Sequence, residues 1–243
     1  MTEAEAEGNA TNVLPGGSWW PPDCESTWRL AVIVPYRNRE VMVGPFLNHM
    51  HPFLQRQLLN YTIFFVEQSG EREFNRAKLM NIGYVLAQRS GPWDCYAFQD
   101  IDCIPEDDRN LYYCADQPHC PTIRIWATAI TNIYIVIHPL IYANVTSTSA
   151  AIATCGYDKD KPDLWSRYFT WQACLCQQGL NRESVVLPYE TFYGCACLMT
   201  SWQVEKVNGW SNKYFGWGGE DDNMWRRIEA EHMRVANESA RRG

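Results

Sequence analysis

The sequence predicts an α/β fold with a mostly parallel sheet flanked by helices. Three apolar runs separated by two helical segments carry that prediction. "LAVIV" (30–34), "YTIFFVEQ" (61–68) and "CYAFQD" (95–100) are strand-length and dominated by apolar side chains. Strands covered on both faces read as continuous apolar runs rather than alternating ones. Strand–helix–strand connections of this kind join parallel neighbours and are right-handed. With 243 residues, 46% of them hydrophobic, the chain can bury one sizeable core or two small ones.

Taken in order, residues 1–23 read as a polar, Gly/Pro-punctuated arm. The first strand ends at Pro35. "FLNHMHPFLQRQLL" (46–59) then has helical spacing, with Pro52 expected to kink or start the helix. In "EFNRAKLMNIGYVLAQRS" (73–90), Phe74, Leu79, Ile82 and Leu86 fall near helical spacing and predict the buried face. Ligands of such sheets bind beyond the carboxyl ends of the strands. That rule points to "PYRNR" (35–39) and "DIDCIPEDD" (100–108).

Residues 119–186 alternate apolar β-branched runs with Trp/Cys-rich pieces and hold no sustained period. Within them "IWATAITNIYIVIHPLIY" (125–142) carries no formal charge over nearly the length of a membrane span. Asn132, His138, Pro139 and the threonines argue against a span. So does topology, because a span would put the carboxylates near 100 and near 220 on opposite sides of a membrane. From Leu187, "LPYETFYG" is a turn-rich aromatic segment, and "SWQVEKVNGW" (201–210) predicts a short helix closing on Gly209. "EDDNMWRRIEAEHMRV" (220–235) predicts a further helix with Trp225, Ile228 and His232 on one face. Glu220, Asp221 and Asp222 would then sit at its N-terminus, where the helix dipole stabilises each charge by about 0.3–1 kcal/mol.

Net charge is −7 with pI near 5.3, which argues against a nucleic-acid partner, since binding phosphate backbones needs a basic face. Eleven tryptophans suit stacking on sugar rings as well as core packing. The ten cysteines include no CxxC pair and no zinc-finger spacing. Sequons start at Asn9, Asn60, Asn144 and Asn237. Together with the cysteines they point to a lumenal or extracellular compartment. The N-terminal residues carry neither a basic n-region nor an apolar h-region, and no membrane anchor is evident.

Asp100-Ile101-Asp102 at a strand end can present two carboxylates to a hard divalent cation. Arg37, Arg39 and Arg76 lie at the same sheet edge, where guanidinium forks suit a diphosphate. Taken one at a time, these residues read equally as a solvated turn, surface arginines and acidic helix capping. In combination, "VPYRNRE", "HPFLQRQLLNY", "FNRAKLMNIGY", "FQDIDCIPEDDRNLY" and "NGWSNKYFGWGGEDD" resemble the β-1,4-galactosyltransferase family, most of all invertebrate members that include N-acetylgalactosaminyltransferases. The resemblance covers roughly residues 16–118 and 187–235.

That resemblance implies a GT-A glycosyltransferase fold and an inverting transfer from UDP-galactose or UDP-GalNAc. The acceptor would be the 4-hydroxyl of a terminal GlcNAc or Glc on a glycoprotein or glycolipid, in the Golgi lumen with Mn2+. Pro35, Tyr36, Arg37 and Arg39 would line the uridine and diphosphate site. Phe74 and Arg76 would hold base and phosphates, Asp100 with Ile101 would contact the nucleotide, and Asp102 would ligate the metal. Trp217 would close over the donor and Glu220 would contact the sugars. Asp221 would be the base, and Tyr189, Phe192 and Asp222 would face the acceptor. Cys95 and Cys114 match a family disulfide worth about 3 kcal/mol for a loop of that size, and Cys24 matches another half-cystine.

The sequence also departs from the family pattern. A downstream Met-x-x-His metal element has no counterpart before Gly243. Residues 119–186 replace a connection of about a dozen residues in the family. Cys195 stands where the family has glycine, and its side chain is expected to crowd the sugar site. Phe192 replaces the family residue tied to donor choice, and Phe215 and Asn223 replace a Trp and an Asp. The expected organisation is an arm (1–23), a donor-binding half (24–118), an atypical insert (119–186) and a truncated catalytic segment (187–243). An impaired family member that only binds nucleotide-sugar or glycan is the alternative.

Overall fold

In the computed structural model, residues 12–105, 108–121, 124–125, 193–216 and 218–237 are described. They belong to one unit of the chain, built from residues 1–125 and 191–243. The strands are β1 (Ser18–Trp19), β2 (Arg29–Tyr36), β3 (Asn60–Glu67), β4 (Cys95–Gln99), β5 (Cys103–Ile104), β6 (His119–Cys120), β7 (Arg124–Ile125), β8 (Ala196–Met199) and β9 (Ala236–Asn237). The helices are α1 (Glu40–Arg56), α2 (Arg76–Ser90), α3 (Ser201–Lys206) and α4 (Glu220–Ala230).

The three predicted strands form the parallel centre of the sheet. β2 pairs with β3 from Arg29↔Asn60 to Tyr36↔Glu67, and with β4 from Leu30↔Cys95 to Ile33↔Phe98. Leu30 through Val34 are fully buried, as an unbroken apolar run requires. Among the described residues the main sheet has the order β1-β3-β2-β4-β8-β6-β9, and β5 and β7 pair in a separate two-stranded sheet. Antiparallel ladders join β1 to β3, β4 to β8 and β8 to β6, and β9 runs parallel to β6. The sheet is mixed around the expected parallel centre, a common outcome when short strands extend an α/β sheet at its edges. β6, at the start of the span expected to be atypical, is a member of this sheet.

α1 starts earlier than expected and runs through both Pro45 and Pro52. Its buried residues Phe46, Met50, Phe53 and Leu54 face the sheet side of the core. α2 corrects the predicted face: Ile82 and Leu86 are exposed, whereas Ala77, Leu79, Met80, Gly83, Tyr84 and Ala87 are buried. One reason is close approach at Gly83: a Cβ there would lie 2.4 Å from Ile33 Cγ2 and 2.8 Å from Val66 Cγ2, so the face that meets these strands is the one carrying the glycine.

α3 begins in a capping box: Thr200 Oγ1 accepts the Gln203 N–H and Gln203 Oε1 accepts the Thr200 N–H. α4 starts at Gly219, whose φ of +89° suits glycine. Met224 and Ile228 are its buried apolar residues, with Trp225 packed partly against the core. His232 leaves the predicted face, because the helix ends at Ala230 and His232 follows in a left-handed conformation (φ +58°), exposed.

Cys95 and Cys114 form the expected disulfide, and a second bond joins Cys103 to Cys195. Asn60 opens β3 with Tyr61 and Thr62 buried behind it, so that sequon lies in the sheet rather than in a surface loop. No helix among the described residues is long and apolar enough to cross a membrane. The apolar run 125–142 falls outside the described residues beyond Ile125.

Candidate active site

The carboxyl ends of β2 and β4 and the N-termini of α2 and α4 converge, and Arg76 is the point where they meet. Its Nε donates to Asp100 Oδ1 at 2.6 Å and its Nη1 to Glu220 Oε1 at 3.1 Å. The guanidinium also lies over the Trp210 ring, 5.6 Å from the centroid. One arginine at the start of α2 thus joins the end of β4 to the start of α4. Burial works against its charge, but Asp100 and Glu220 outweigh that and raise its pKa further.

The carboxylates respond to the same surroundings. Burial pushes Asp100 up to about 6; Arg76 opposes the shift and Asp102 adds to it. Asp221 is 4% exposed, and burial raises it as well, with Arg76 opposing and Glu220 adding. The Asp222 N–H donates to Asp221 Oδ1 at 2.9 Å, which fixes the orientation of that carboxyl. Two acids with elevated pKa beside a buried arginine are a pattern found at functional sites.

Around this centre the chain shapes a loop. Asn75 caps α2 by accepting the Lys78 N–H, and its Nδ2 donates to the Asn212 carbonyl. Gln68 Oε1 accepts the Asn75 N–H, while its Nε2 donates to the carbonyls of Arg72 and Glu73. Arg37 donates to the Arg72 carbonyl and lies over the Phe74 ring, 5.3 Å from its centroid. The Gly216 N–H reaches the Phe74 carbonyl at 2.8 Å. Arg39 pairs with Asp102 at 3.1 Å.

The structure therefore brings Arg76, Asp100 and Glu220 into direct contact, sets Asp221 and Asp222 on the same helix start, and pairs Arg39 with Asp102. Arg37 and Phe74 pair with each other beside this group. Pro35 and Tyr36 end β2, with Tyr36 edge-on to Phe65 at 5.8 Å. Ile101 is buried in the turn, leaving its backbone as the part able to face a ligand. Tyr189, Phe192 and Trp217 lie outside the described residues.

Three residues escaped the sequence reading. Gln99 is fully buried behind the turn, donating to the Cys103 carbonyl and accepting from the Tyr112 hydroxyl. Tyr193 stacks on Trp210 at 6.3 Å. Among the described residues, buried polar atoms without a hydrogen-bond partner include three here: Arg76 Nη2, the Tyr193 hydroxyl and Trp210 Nε1. Trp210 stands in the "NGW" string and Tyr193 in "FYGCACL", so both were in view without a signal for their role.

Asp100, Asp102 and Cys103 hold potential ligand atoms within 4.8 Å of one another. The Cys103 sulfur is committed to Cys195, which leaves two carboxylates, a donor set for a hard divalent cation. Arg76 Nη2, buried and without a hydrogen-bond partner among the described residues, is a charged donor of the kind that suits phosphate oxygens.

Comparison with known proteins gives one family. The N-terminal region of glycosyl transferase group 7 matches residues 1–115, and a galactosyltransferase domain matches residues 178–242. β-1,4-Galactosyltransferase 4 of Cricetulus griseus is 34% identical over 221 residues, 91% of this chain and 48% of its own length. β-1,4-Galactosyltransferase 6 of Homo sapiens is 32% identical over 217 residues, 89% of this chain and 42% of its own length. The chain thus spans about half the length of the curated relatives it matches. Among solved structures, the catalytic domain of Drosophila β-1,4-galactosyltransferase 7 with xylobiose superposes with a TM-score of 0.57 at 24% identity, covering 87% of this chain and 65% of that one. A mutant of that enzyme in complex with manganese, UDP-Gal and xylobiose gives 0.56 at 25% identity over the same shares.

Proposed function

Because the chain belongs to the β-1,4-galactosyltransferase family, we propose that it is an inverting glycosyltransferase moving galactose or N-acetylgalactosamine from a UDP-sugar to the 4-hydroxyl of a terminal GlcNAc or Glc. The observation that carries the reading is the Arg76 bridge between Asp100 and Glu220, with Asp221 buried alongside.

Arg37 and Arg39 face the diphosphate, Phe74 lies against the base, and Arg76 Nη2 adds a third guanidinium contact. Asp102, with Asp100 beside it, would hold Mn2+, which when bound supplies a Lewis acid for the charge on the departing diphosphate. Asp221 takes the proton of the acceptor hydroxyl as the oxygen attacks the sugar from the face opposite the diphosphate. Its raised pKa makes it a stronger base than an exposed aspartate. The Asp222 N–H keeps the accepting oxygen oriented, Glu220 reaches the sugars from the Arg76 side, and Asp222, Tyr189 and Phe192 face the acceptor. Trp217 follows Gly216, where the chain is tied to Phe74, and is assigned to covering the donor and excluding water.

The proposed setting is the Golgi lumen, supported by the disulfides Cys95–Cys114 and Cys103–Cys195. An addition to the family frame within 119–186 is proposed as well; residues 116–177 lie between the two family matches.

The test is UDP binding by calorimetry with and without Mn2+, for wild type and Asp102→Ala, alongside transfer from UDP-Gal and UDP-GalNAc to GlcNAc. The reading expects the metal to strengthen wild-type binding and not the variant's. Equal responses of both proteins to Mn2+ would remove Asp102 as ligand, and transfer from neither nucleotide-sugar would remove the function.

A further inference from the structure

Cys195 sits where a side chain is least expected. Its φ is +63°, a left-handed conformation that favours glycine, yet its side chain is buried and joined to Cys103. Its backbone is equally committed, because the Cys195 carbonyl accepts the Asp100 N–H at 2.7 Å. The Asp100–Cys103 turn is therefore tied at both ends to one residue: by a hydrogen bond at Asp100 and by a covalent bond at Cys103. Asp102 lies between the ties. Within the turn the Cys103 N–H donates to the Asp100 carbonyl at 3.2 Å, and Gln99 Nε2 donates to the Cys103 carbonyl.

The two ends of this crosslink come from the two halves of the family frame, Cys103 from the stretch matched over 1–115 and Cys195 from that matched over 178–242. Although 92 residues separate the two cysteines, the β4–β8 ladder, which ends at Gln99↔Ala196, brings Cys195 beside the turn. Crowding of the sugar site, expected from a side chain at this position, is not what the structure shows: the sulfur is directed into the bond with Cys103.

We propose that Cys195 and Cys103 are positioning residues, whose crosslink holds the Asp102 carboxylate in place for a divalent cation by clamping both ends of its turn to the start of β8. The proposal rests on the donor-and-metal reading above, and its test separates the two. In non-reducing peptide maps of denatured, alkylated protein, a linked Cys103–Cys195 peptide is expected. Alkylation of both cysteines there would overturn the proposal and leave the functional reading untouched.

The second arm titrates UDP with and without Mn2+ for wild type and for Cys103→Ala/Cys195→Gly, in which glycine suits the left-handed backbone. Supporting partners of a metal ligand change metal affinity by about 10–100-fold, so the Mn2+-dependent gain in UDP affinity should fall about tenfold while metal-free UDP affinity stays within about twofold. A crosslink that merely holds the fold together would lower both affinities alike, and that result overturns the proposal, as does a variant matching wild type in both. Wild-type UDP binding that ignores Mn2+ would sink the functional reading and this inference together.

Discussion

Replacing Arg76 with methionine removes the group on which three elements converge while keeping much of the side-chain volume. The arginine side chain is 13% exposed, with partners at 24% (Asp100) and 10% (Glu220). Removing one partner of a buried ion pair costs about 3–5 kcal/mol, because the remaining charge stays buried. Against that, the variant sheds the unpartnered Nη2, a desolvation cost of about 1–3 kcal/mol. Taking the middle of each range, a net loss of about 2 kcal/mol at pH 8 follows, and the residual exposure of Asp100 favours no more than that.

The loss depends on pH in a definite direction. Asp100 already has its pKa raised from 3.8 to about 6 by burial, with Arg76 holding it down. A carboxyl raised in the folded state binds its proton more tightly there, so its contribution to stability falls as pH rises from 3.8 through 6. Without Arg76 the folded pKa rises further, and the penalty appears only where Asp100 is ionised. Urea unfolding at pH 8 and pH 5 with matched m-values reads this directly. The destabilisation should shrink by at least about 1 kcal/mol at pH 5. Equal destabilisation at both pH values, or none at pH 8, would refute the charge-bridge account.

Other expectations follow from the same contacts. Asp221→Asn should abolish transfer while sparing UDP binding, and retained transfer would remove Asp221 as base; in the wild type the acid limb of kcat should lie above the usual aspartate range, since burial raises this carboxyl. His51, buried against the Tyr61 hydroxyl at 2.7 Å, has its pKa lowered to about 4 by burial. Stability from keeping it neutral is therefore lost as pH falls from 6.5 through 4, and His51→Gln should flatten that acid limb in urea unfolding. Gly83→Ala should destabilise by about 1–2 kcal/mol in thermal melts: overpacking against Ile33 and Val66 costs about 1–3 kcal/mol, and the gain in helix propensity returns less than about 1.

The central strands were legible in the sequence because burial on both faces leaves an unbroken apolar run. β1, β6 and β9, at two residues each, are too short to show any period. The face of α2 was misread for a physical reason. Pattern reading counts large apolar residues, while the buried face is set by the close approach of Gly83 to Ile33 and Val66 and includes the small Ala77 and Ala87. At the site, Asp100, Asp102, Arg76, Glu220 and Asp221 stood in recognisable strings. Their pairings did not, since Arg76 and Glu220 are separated by 144 positions and only the assembled fold sets them side by side. Cys103–Cys195 was invisible for the same reason, although the family's glycine at position 195 agrees with the left-handed backbone found there.

The same crosslink bears on how the chain tolerates extra length. Ile125 pairs with Cys103 across β7 and β5, and Cys103 lies 5.5 Å from Cys195, Cα to Cα. The backbone thus leaves the two-stranded β5–β7 sheet and enters the main sheet near the same turn. A detour whose two ends already touch can lengthen at little thermodynamic cost, about 0.6 kcal/mol for each doubling. This junction therefore sets little limit on how many residues join Ile125 to Tyr193, whereas Tyr193 itself is fully buried and held by its packing on Trp210.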